Sequence, residues 1–429
     1  MAYPAAVVTI RSLAAGGEGV GRLPEGYAVF VHRTAPGDQV EVALIERRQR
    51  WARARLVKLL HPGEGRRQPP CPFYDHCGGC TLQHLTEEVQ RRAKVDIVAQ
   101  ALMRLGGVAV AAAPPVVPSP HPWRYRNRMT FVVRRQRGGV VAGLRALGEP
   151  HRIVDVDDRC LLPEAAVGRA WARLRAVLAE RPQLLPAAPG DVQLTVRATV
   201  FGEVLLHVTG DGGWDARPLV EASGPWRGAW QRDIDGRLRR LSGAAGEDEL
   251  AGERVRVTGD SVVQVNRAAA TLLFEEVERQ IGDVRGATVV EAYAGVGIIS
   301  RRLARAGARV IAIEGNPQAA AEARRAGGFA VLTGAVERHL AAALPADVVA
   351  LNPPRAGLGA GVVATLLAQP PRRLVYVSCD PATLARDVRR LAGRFSLAEV
   401  HCVDLFPQTA HVETVASLVA VTREEARAT

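Results

Sequence analysis

A chain of 429 residues with 48% hydrophobic side chains is too long for one ordinary domain and too apolar to remain unfolded. Its formal net charge of +12 rests on arginine runs such as Arg47-Arg48-Gln49-Arg50, Arg134-Arg135 and Arg237 to Arg240. A guanidinium grips a phosphate through two hydrogen bonds, so this charge favours a polyanionic partner. No apolar run approaches the roughly 20 residues of a membrane helix, and Met1–Ala15 lacks a basic stretch leading into an apolar one. The expectation is a cytoplasmic chain with no membrane partner, whose thiols stay reduced.

Residues 1–62 alternate short β-branched runs with glycine turns. Val7–Ile10, Tyr27–Val31 and Gln39–Val42 read as strands, separated by Gly16-Gly17-Glu18-Gly19 and Pro36-Gly37-Asp38. Several short strands in so short a segment predict a small OB-like β-barrel, followed by the arginines at 47, 48, 50, 53 and 55. Residues 63–110 hold a cysteine loop and a helical stretch from Leu85 to Leu105. Cys71-x5-Cys77-x2-Cys80 places three thiols in a glycine-containing loop, spacing that in a reduced compartment points to metal, with zinc the default. Cys160 is the candidate fourth ligand, and Cys402 reads as a core thiol.

Ala111–Pro122 reads as a linker into a mixed α+β central domain, 111–250, with a helical stretch near Pro163–Ala179. From about Val255 the rhythm becomes strand, helix, strand, helix. Apolar runs at Ala287–Val290, Arg309–Ile313, Ala346–Leu351 and Leu374–Val377 predict a doubly wound parallel sheet over 251–429. Ligands of such sheets lie beyond the carboxyl ends of the strands, where the chemically suggestive residues also fall.

The first of those strands runs into Glu291-Ala292-Tyr293-Ala294-Gly295-Val296-Gly297, a turn where glycines allow close approach of a ligand. About 20 residues further on, Glu314 ends the second strand, where an acid accepts hydrogen bonds from ribose hydroxyls. NAD would satisfy the same pair. The fourth strand ends in Asn352-Pro353-Pro354-Arg355, a mark of methylases that bind a nucleoside sulfonium rather than of dehydrogenases. The next strand delivers Cys379 just before Pro381, hence just before a helix start, where a thiolate is expected to be stabilised. A thiolate adding to C6 of uracil makes C5 enolate-like, and a base must later remove the C5 proton. Glu413, in His411-Val412-Glu413-Thr414-Val415, is the candidate base.

The segments Ser378–Asp387 and His411–Val415 closely resemble the two signatures of the RNA uridine-C5 methyltransferases, and the resemblance extends over nearly the whole chain. Gly19-Val20-Gly21-Arg22 and Val29-Phe30-Val31 are similar to that family's RNA-binding TRAM barrel. The resemblance implies methyl transfer from S-adenosylmethionine, with Cys379 as nucleophile and Glu413 as base. It implies cofactor contacts from Gln264, Tyr293, Glu314 and Asn352, to which the glycine turn adds Gly295 and Gly297. For Cys71, Cys77, Cys80 and Cys160 it implies a 4Fe–4S cluster, as in the family's ribosomal RNA branch. The expected partner is structured RNA, 23S ribosomal RNA ahead of transfer RNA, and the expected state is a monomer.

The sequence departs from the family pattern at Val262, where an aromatic residue is usual, at Glu291 and Asn352, where aspartates are usual, and at Ile298. Three rival readings explain less. An adenine amino-methylase would follow Asn-Pro-Pro with an aromatic residue rather than Arg355, and would leave Cys379 and Glu413 idle. A cytosine-C5 methylase carries its nucleophile in a different motif. A non-catalytic RNA-binding relative has no need of an intact Cys379 and Glu413.

Overall fold

The computed structural model describes residues 5–109, 112–187, 190–210, 213–233, 235–258 and 261–422. Two compact units arise: Met1–Pro69, Thr81–Pro120 and Thr271–Thr429 form the first, and Pro70–Cys80 with His121–Ala270 form the second. The fold is a multidomain α/β arrangement. The expected 63–110 segment is therefore divided, its cysteine loop falling in the second unit and its helix in the first. The boundary expected at 110/111 lies outside the described residues.

In the first unit, β1 (Ala5–Leu13), β2 (Gly19–Arg22), β3 (Ala28–Val31), β4 (Gln39–Arg47) and β5 (Trp51–His61) close a barrel in the order β1-β2-β3-β5-β4. Strand alternation fills it: Val8, Ile10, Val29, Val31, Val40, Val42, Ala52 and Ala54 point inward, while Arg53 and Arg55 point out. Helix α1 (Glu87–Ala101) follows and ends in a π-turn, Leu102–Gly106. Strand β6 (Val116–Val117) then lies within the stretch read as linker. Two residues are too few for any periodic signal, which is why the sequence concealed it.

The second unit holds β7 (Arg128–Gln136), β8 (Gly139–Ala146), β9 (Glu149–Asp155), α2 (Ala165–Glu180), β10 (Val192–Ala198), β11 (Val204–Thr209), α3 (Arg217–Ser223), β12 (Gly228–Arg232) and β13 (Leu238–Gly243). Its seven-stranded sheet runs β13-β12-β11-β10-β7-β8-β9. Trp171 of α2 stacks on Phe131 of β7, centroids 3.8 Å apart, and donates to Val156 O at 2.7 Å. β14 (Gly246–Leu250) and β15 (Glu253–Val257) make a separate hairpin. This corrects the expected start of strand–helix alternation near Val255: Glu253–Val257 alternates buried and exposed, as a half-buried hairpin strand does.

Helix α4 (Arg267–Ile281) leads into β16 (Thr288–Ala292), α5 (Ile298–Arg305), β17 (Arg309–Glu314), α6 (Pro317–Ala326), β18 (Ala330–Thr333), α7 (Val336–Ala343), β19 (Val348–Leu351), α8 (Ala360–Ala368), β20 (Arg373–Ser378), α9 (Pro381–Leu391), β21 (Phe395–Val403) and β22 (Glu413–Ala420). The sheet order is β18-β17-β16-β19-β20-β22-β21-β6. Seven of its eight strands run in one direction, but β22 runs antiparallel to both β20 and β21, so the sheet is not wholly parallel as expected. The reversal matters: an antiparallel strand begins where its parallel neighbours end, at the ligand-binding edge. Among the described residues, no helix is long and apolar enough to cross a membrane.

Candidate active site

Strand β20 is apolar and buried from Leu374 to Val377 and ends at Ser378. Ser378 Oγ donates to Asp380 O at 3.0 Å and accepts from Asp380 N at 3.2 Å. Asp380 caps α9 by accepting from Thr383 N at 2.8 Å, with Pro381 opening the helix. Cys379 is thus fixed between a closed strand end and a capped helix. Strand β22 arrives from the opposite direction: Ser378 pairs with Thr414, whose Oγ1 donates to Ser378 O at 3.0 Å. The residues next to this last pair are Cys379, just after β20, and Glu413, which opens β22, and the charge of Glu413 reaches the Cys379 thiol.

The electrostatics of the pair correct one expectation. The helix start was expected to favour the Cys379 thiolate, yet burial pushes the thiol up and the facing Glu413 adds to the rise. Glu413 is itself buried, and burial pushes it up to about 8. Arg355 opposes both shifts. Thiolate and carboxylate disfavour one another, so the pair holds one negative charge more readily than two. The sequence used Arg355 only to exclude other methylases; its electrostatic reach to Cys379 and Glu413 is visible only in three dimensions.

A dense clamp holds the segment bearing Arg355. Thr383 Oγ1 donates to Arg355 O at 3.0 Å, Arg386 to Ala356 O at 2.8 Å, and Arg390 to Leu358 O at 2.8 Å. Buried Asp387 accepts from Leu358 N at 2.8 Å and from the Tyr376 hydroxyl at 3.0 Å. Gly357, at φ +75°, leaves no room for a Cβ against Thr383, Arg386 and Asp387. Asn352, half-buried at the end of β19, donates its backbone N–H to Ala292 O at 3.2 Å.

The cofactor candidates separate by role. Glu314, ending β17, accepts from Gly295 N at 2.7 Å and from Asn316 N at 2.6 Å, one bond to each oxygen. A carboxylate has about four acceptor sites, so both oxygens retain capacity for ribose hydroxyls. Gly295 has φ +58°, and a Cβ there would meet nothing within 4 Å, leaving an open cradle beside the acid. These residues fit an adenosine-bearing cofactor. Gly297 differs: a Cβ would strike the Phe329 ring at 2.8 Å, so its bareness serves packing. Tyr293, half-buried, takes a left-handed φ of 64°, uncommon for a non-glycine residue and of a kind that clusters at binding sites.

Glu291 faces inward, accepting from Ser300 N at 2.8 Å and from Ser300 Oγ, and burial pushes it up to about 7. It anchors α5, whose Ile298 is also buried. Gln264 belongs to the second unit, where Asn127 Nδ2 donates to its carbonyl at 3.2 Å and Asn127 N donates to Val265 O at 2.8 Å. Val262 beside it is 80% exposed.

All four metal-candidate cysteines fall in the second unit. The 71–80 loop is pinned to the β8–β9 turn, with Gly78 N donating to Arg145 O at 2.9 Å and Leu147 N to His76 O at 2.8 Å. Arg159 lies 5.3 Å over the Phe73 ring, and Arg124 Nη1 donates to Cys160 O at 2.8 Å. Burial pushes the Cys160 thiol up to about 11, with Cys71 and Cys77 adding to the rise. Cys77, Cys80 and Cys160 are buried and Cys71 is half-buried. Among the described residues, ligand atoms within 4.8 Å of one another occur at Glu276, Glu399 and His401, and this group has a protein cation in it: Arg279 donates to Glu276 at 2.7 Å and to Glu399 at 2.5 Å. That makes it an ion-pair cluster.

On the barrel, Arg47 stacks 4.9 Å over Tyr27 and Arg53 5.3 Å over Trp51, whose ring meets Phe30 edge-on at 6.2 Å. Guanidinium and aromatic groups interleaved in this way suit a polyanion that carries stackable bases.

Comparison with known proteins follows the same division. Residues 340–421 match the family described as tRNA (Uracil-5-)-methyltransferase, and residues 7–57 match the TRAM domain. A protein of Gloeobacter violaceus described as an uncharacterized RNA methyltransferase is 34% identical over 444 residues, spanning 96% of this chain and 95% of that one. A protein of Thermosynechococcus vestitus with the same description is also 34% identical, spanning 95% and 96%. The Pyrococcus abyssi tRNA (uracil-54, C5)-methyltransferase, solved with S-adenosyl-L-homocysteine, superposes with a TM-score of 0.73 at 26% identity. That match covers 98% of this chain and 100% of the other.

Proposed function

Because this chain belongs to the S-adenosylmethionine-dependent RNA uracil-5-methyltransferases, we propose that Cys379 and Glu413 carry out that methylation by covalent catalysis on a uridine of 23S ribosomal RNA. The observation that carries the mechanism is the register: β20 ends one residue before the nucleophile, paired with the residue that follows the base in its antiparallel neighbour, and the charge of Glu413 reaches Cys379. The Cys379 thiolate adds to C6 of the uracil, and the C5=C6 electrons move onto the C4 oxygen as an enolate. Glu314, Gly295, Tyr293 and Asn352 would hold S-adenosylmethionine, which would supply an electrophilic methyl group. As the enolate collapses, C5 takes the methyl and leaves S-adenosylhomocysteine. Glu413 then removes the C5 proton, the C5=C6 bond reforms, and the C6–S bond breaks to return the thiolate. A base near pH 8 is well matched to such a proton transfer.

Cys71, Cys77, Cys80 and Cys160 would hold a 4Fe–4S cluster through four thiolates. What supports this is that all four cysteines fall in the same unit and that, beside burial, the charges of Cys71 and Cys77 raise the Cys160 thiol. The cluster's role is to fix the loop, and the RNA contacts come from the barrel and central unit, with a monomer acting in the cytoplasm. The structural neighbour's transfer RNA substrate favours a second reading, the same reaction on transfer RNA. Mapping 5-methyluridine in total RNA from a deletion strain decides between them. Loss of one 23S site, restored by the wild-type gene and not by Cys379→Ala, supports the proposal; loss of a transfer RNA site supports the second reading.

A further inference from the structure

The loop between β21 and β22, residues 404–412, delivers Glu413 to the site, and α1 braces it. Lys94, fully buried, donates to Asp404 Oδ1 at 2.5 Å and to Phe406 O at 3.0 Å. Gln90, one turn earlier on the same helix face, reaches the centre of the loop. That centre is Gln408, fully buried and in a left-handed conformation at φ 69°. Its Oε1 accepts from Arg67 Nη2 and Gln90 Nε2, each at 2.9 Å, and its Nε2 donates to Glu87 at 3.1 Å. Its backbone N donates to Gln90 Oε1 at 2.9 Å, and its carbonyl accepts from Thr81 N and Leu82 N, each at 3.0 Å. Two residues on, Ala410 N donates to Thr81 Oγ1 at 3.0 Å.

A buried glutamine in the left-handed region persists only where its surroundings over-determine it. Here every polar group of the residue is engaged, five positions before Glu413. A loop that merely joined two strands would run over the surface, with water as its partner. We propose that Gln408 is a positioning residue for proton removal: bound to Gln90, Arg67 and Glu87, it fixes the loop so that Glu413 enters β22 opposite Cys379. The proposal rests on Glu413 being the base. It separates Gln408 from the earlier steps, which Cys379 performs from the position just after β20.

The test uses the full-length protein on transcripts of 23S ribosomal RNA and of the transfer RNAs, made with uridine or with 5-fluorouridine. Fluorine cannot leave as a proton does, so 5-fluorouridine RNA reports the steps before proton removal and uridine RNA reports release. Gln408→Gly keeps the backbone conformation and its backbone hydrogen bonds and removes the side-chain bonds to Arg67, Gln90 and Glu87, while Gln90→Ala weakens the clamp from the helix side. Both variants should trap 5-fluorouridine RNA within about twofold of wild type, yet release methylated uridine RNA roughly tenfold to a hundredfold more slowly, with adduct accumulating. Adding Glu413→Gln to Gln408→Gly should slow release no further than Glu413→Gln alone. Equal slowing of trapping and release would make Gln408 merely structural, and unchanged release would remove its role; either overturns the proposal. Wild-type release by Glu413→Gln alone would instead reject the base assignment on which the proposal stands.

Discussion

Cys379 stands half-buried at a strand end, with one acid opposite it and one arginine in reach, whereas Cys160 lies buried with other thiols around it. Burial raises both thiols, but the neighbours differ. Around Cys160 two of the neighbouring groups, Cys71 and Cys77, are themselves thiols whose negative charges add, and Arg124 opposes the rise in part. Around Cys379 the opposing charge is Arg355, built into the protein, and the acid facing the sulfur can exchange its own charge for a proton. On the proposal made above, the isolated thiol forms and breaks a carbon–sulfur bond and the grouped one holds a metal. The contrast separates catalysis from scaffolding within one residue type.

Exchanging the two fates gives the largest expected effects. Cys379→Ala should reduce turnover by about 10⁴-fold or more, while iron content and S-adenosylmethionine affinity, read by calorimetry, stay at wild-type values. Cys160→Ser should do the reverse to the metal: anaerobically purified wild type should carry about four iron and four sulfide per chain, and the variant should lose them. Stoichiometric zinc in a colourless wild type would overturn the cluster. If Cys379→Ala lost iron as well, the two regions would not be independent.

Glu413→Gln should slow release by roughly a hundredfold or more, the upper part of the range for general-base catalysis, and should also alter the pH response. Glu413 is raised to about 8 in the folded protein. Its proton therefore contributes stability that is fully present below the ordinary carboxylate value and is lost as pH rises through about 8. Wild-type kcat/KM should climb through that range, whereas the glutamine variant should gain in relative melting temperature above it. A flat wild-type profile between pH 6 and pH 9 would place the base elsewhere.

Arg355→Gln removes the charge that opposes both rises, so it should shift the alkaline limb upward and slow adduct formation roughly tenfold at neutral pH. An unshifted limb would remove Arg355 from the pair. The smallest effect belongs to Asn352→Asp, at less than about tenfold in rate, or 1.4 kcal/mol of barrier. Asparagine keeps an acceptor oxygen where the family usually has aspartate, and the length of the side chain matters more than its charge. Activity appearing only in the aspartate variant would make the native chain a binding relic.

The residues of the site were more legible in the sequence than their relations. Cys379 and Glu413 stand in short contiguous segments whose residue types state their chemistry. That they face one another depends on β22 running antiparallel, which periodicity cannot reveal because a strand pattern carries no direction. Glu314 and Gly295 were readable from strand ends, but Gly297 reads the same in sequence, and its reason, the Phe329 ring, lies 32 positions away. The brace on Gln408 was wholly hidden: its partner Gln90 is 318 positions distant, and a buried polar network leaves no periodic trace. β6 escaped because two residues pair at a sheet edge inside a proline-rich stretch.

Methylation through Cys379 requires that its sulfur form a bond to the base. Wild-type protein incubated with S-adenosylmethionine and 5-fluorouridine-substituted RNA should give a complex that survives denaturing gel electrophoresis, carries a transferred methyl group, and disappears in Cys379→Ala. A methylating wild-type enzyme that forms no such complex, or a Cys379→Ala variant that forms it equally, would contradict the account.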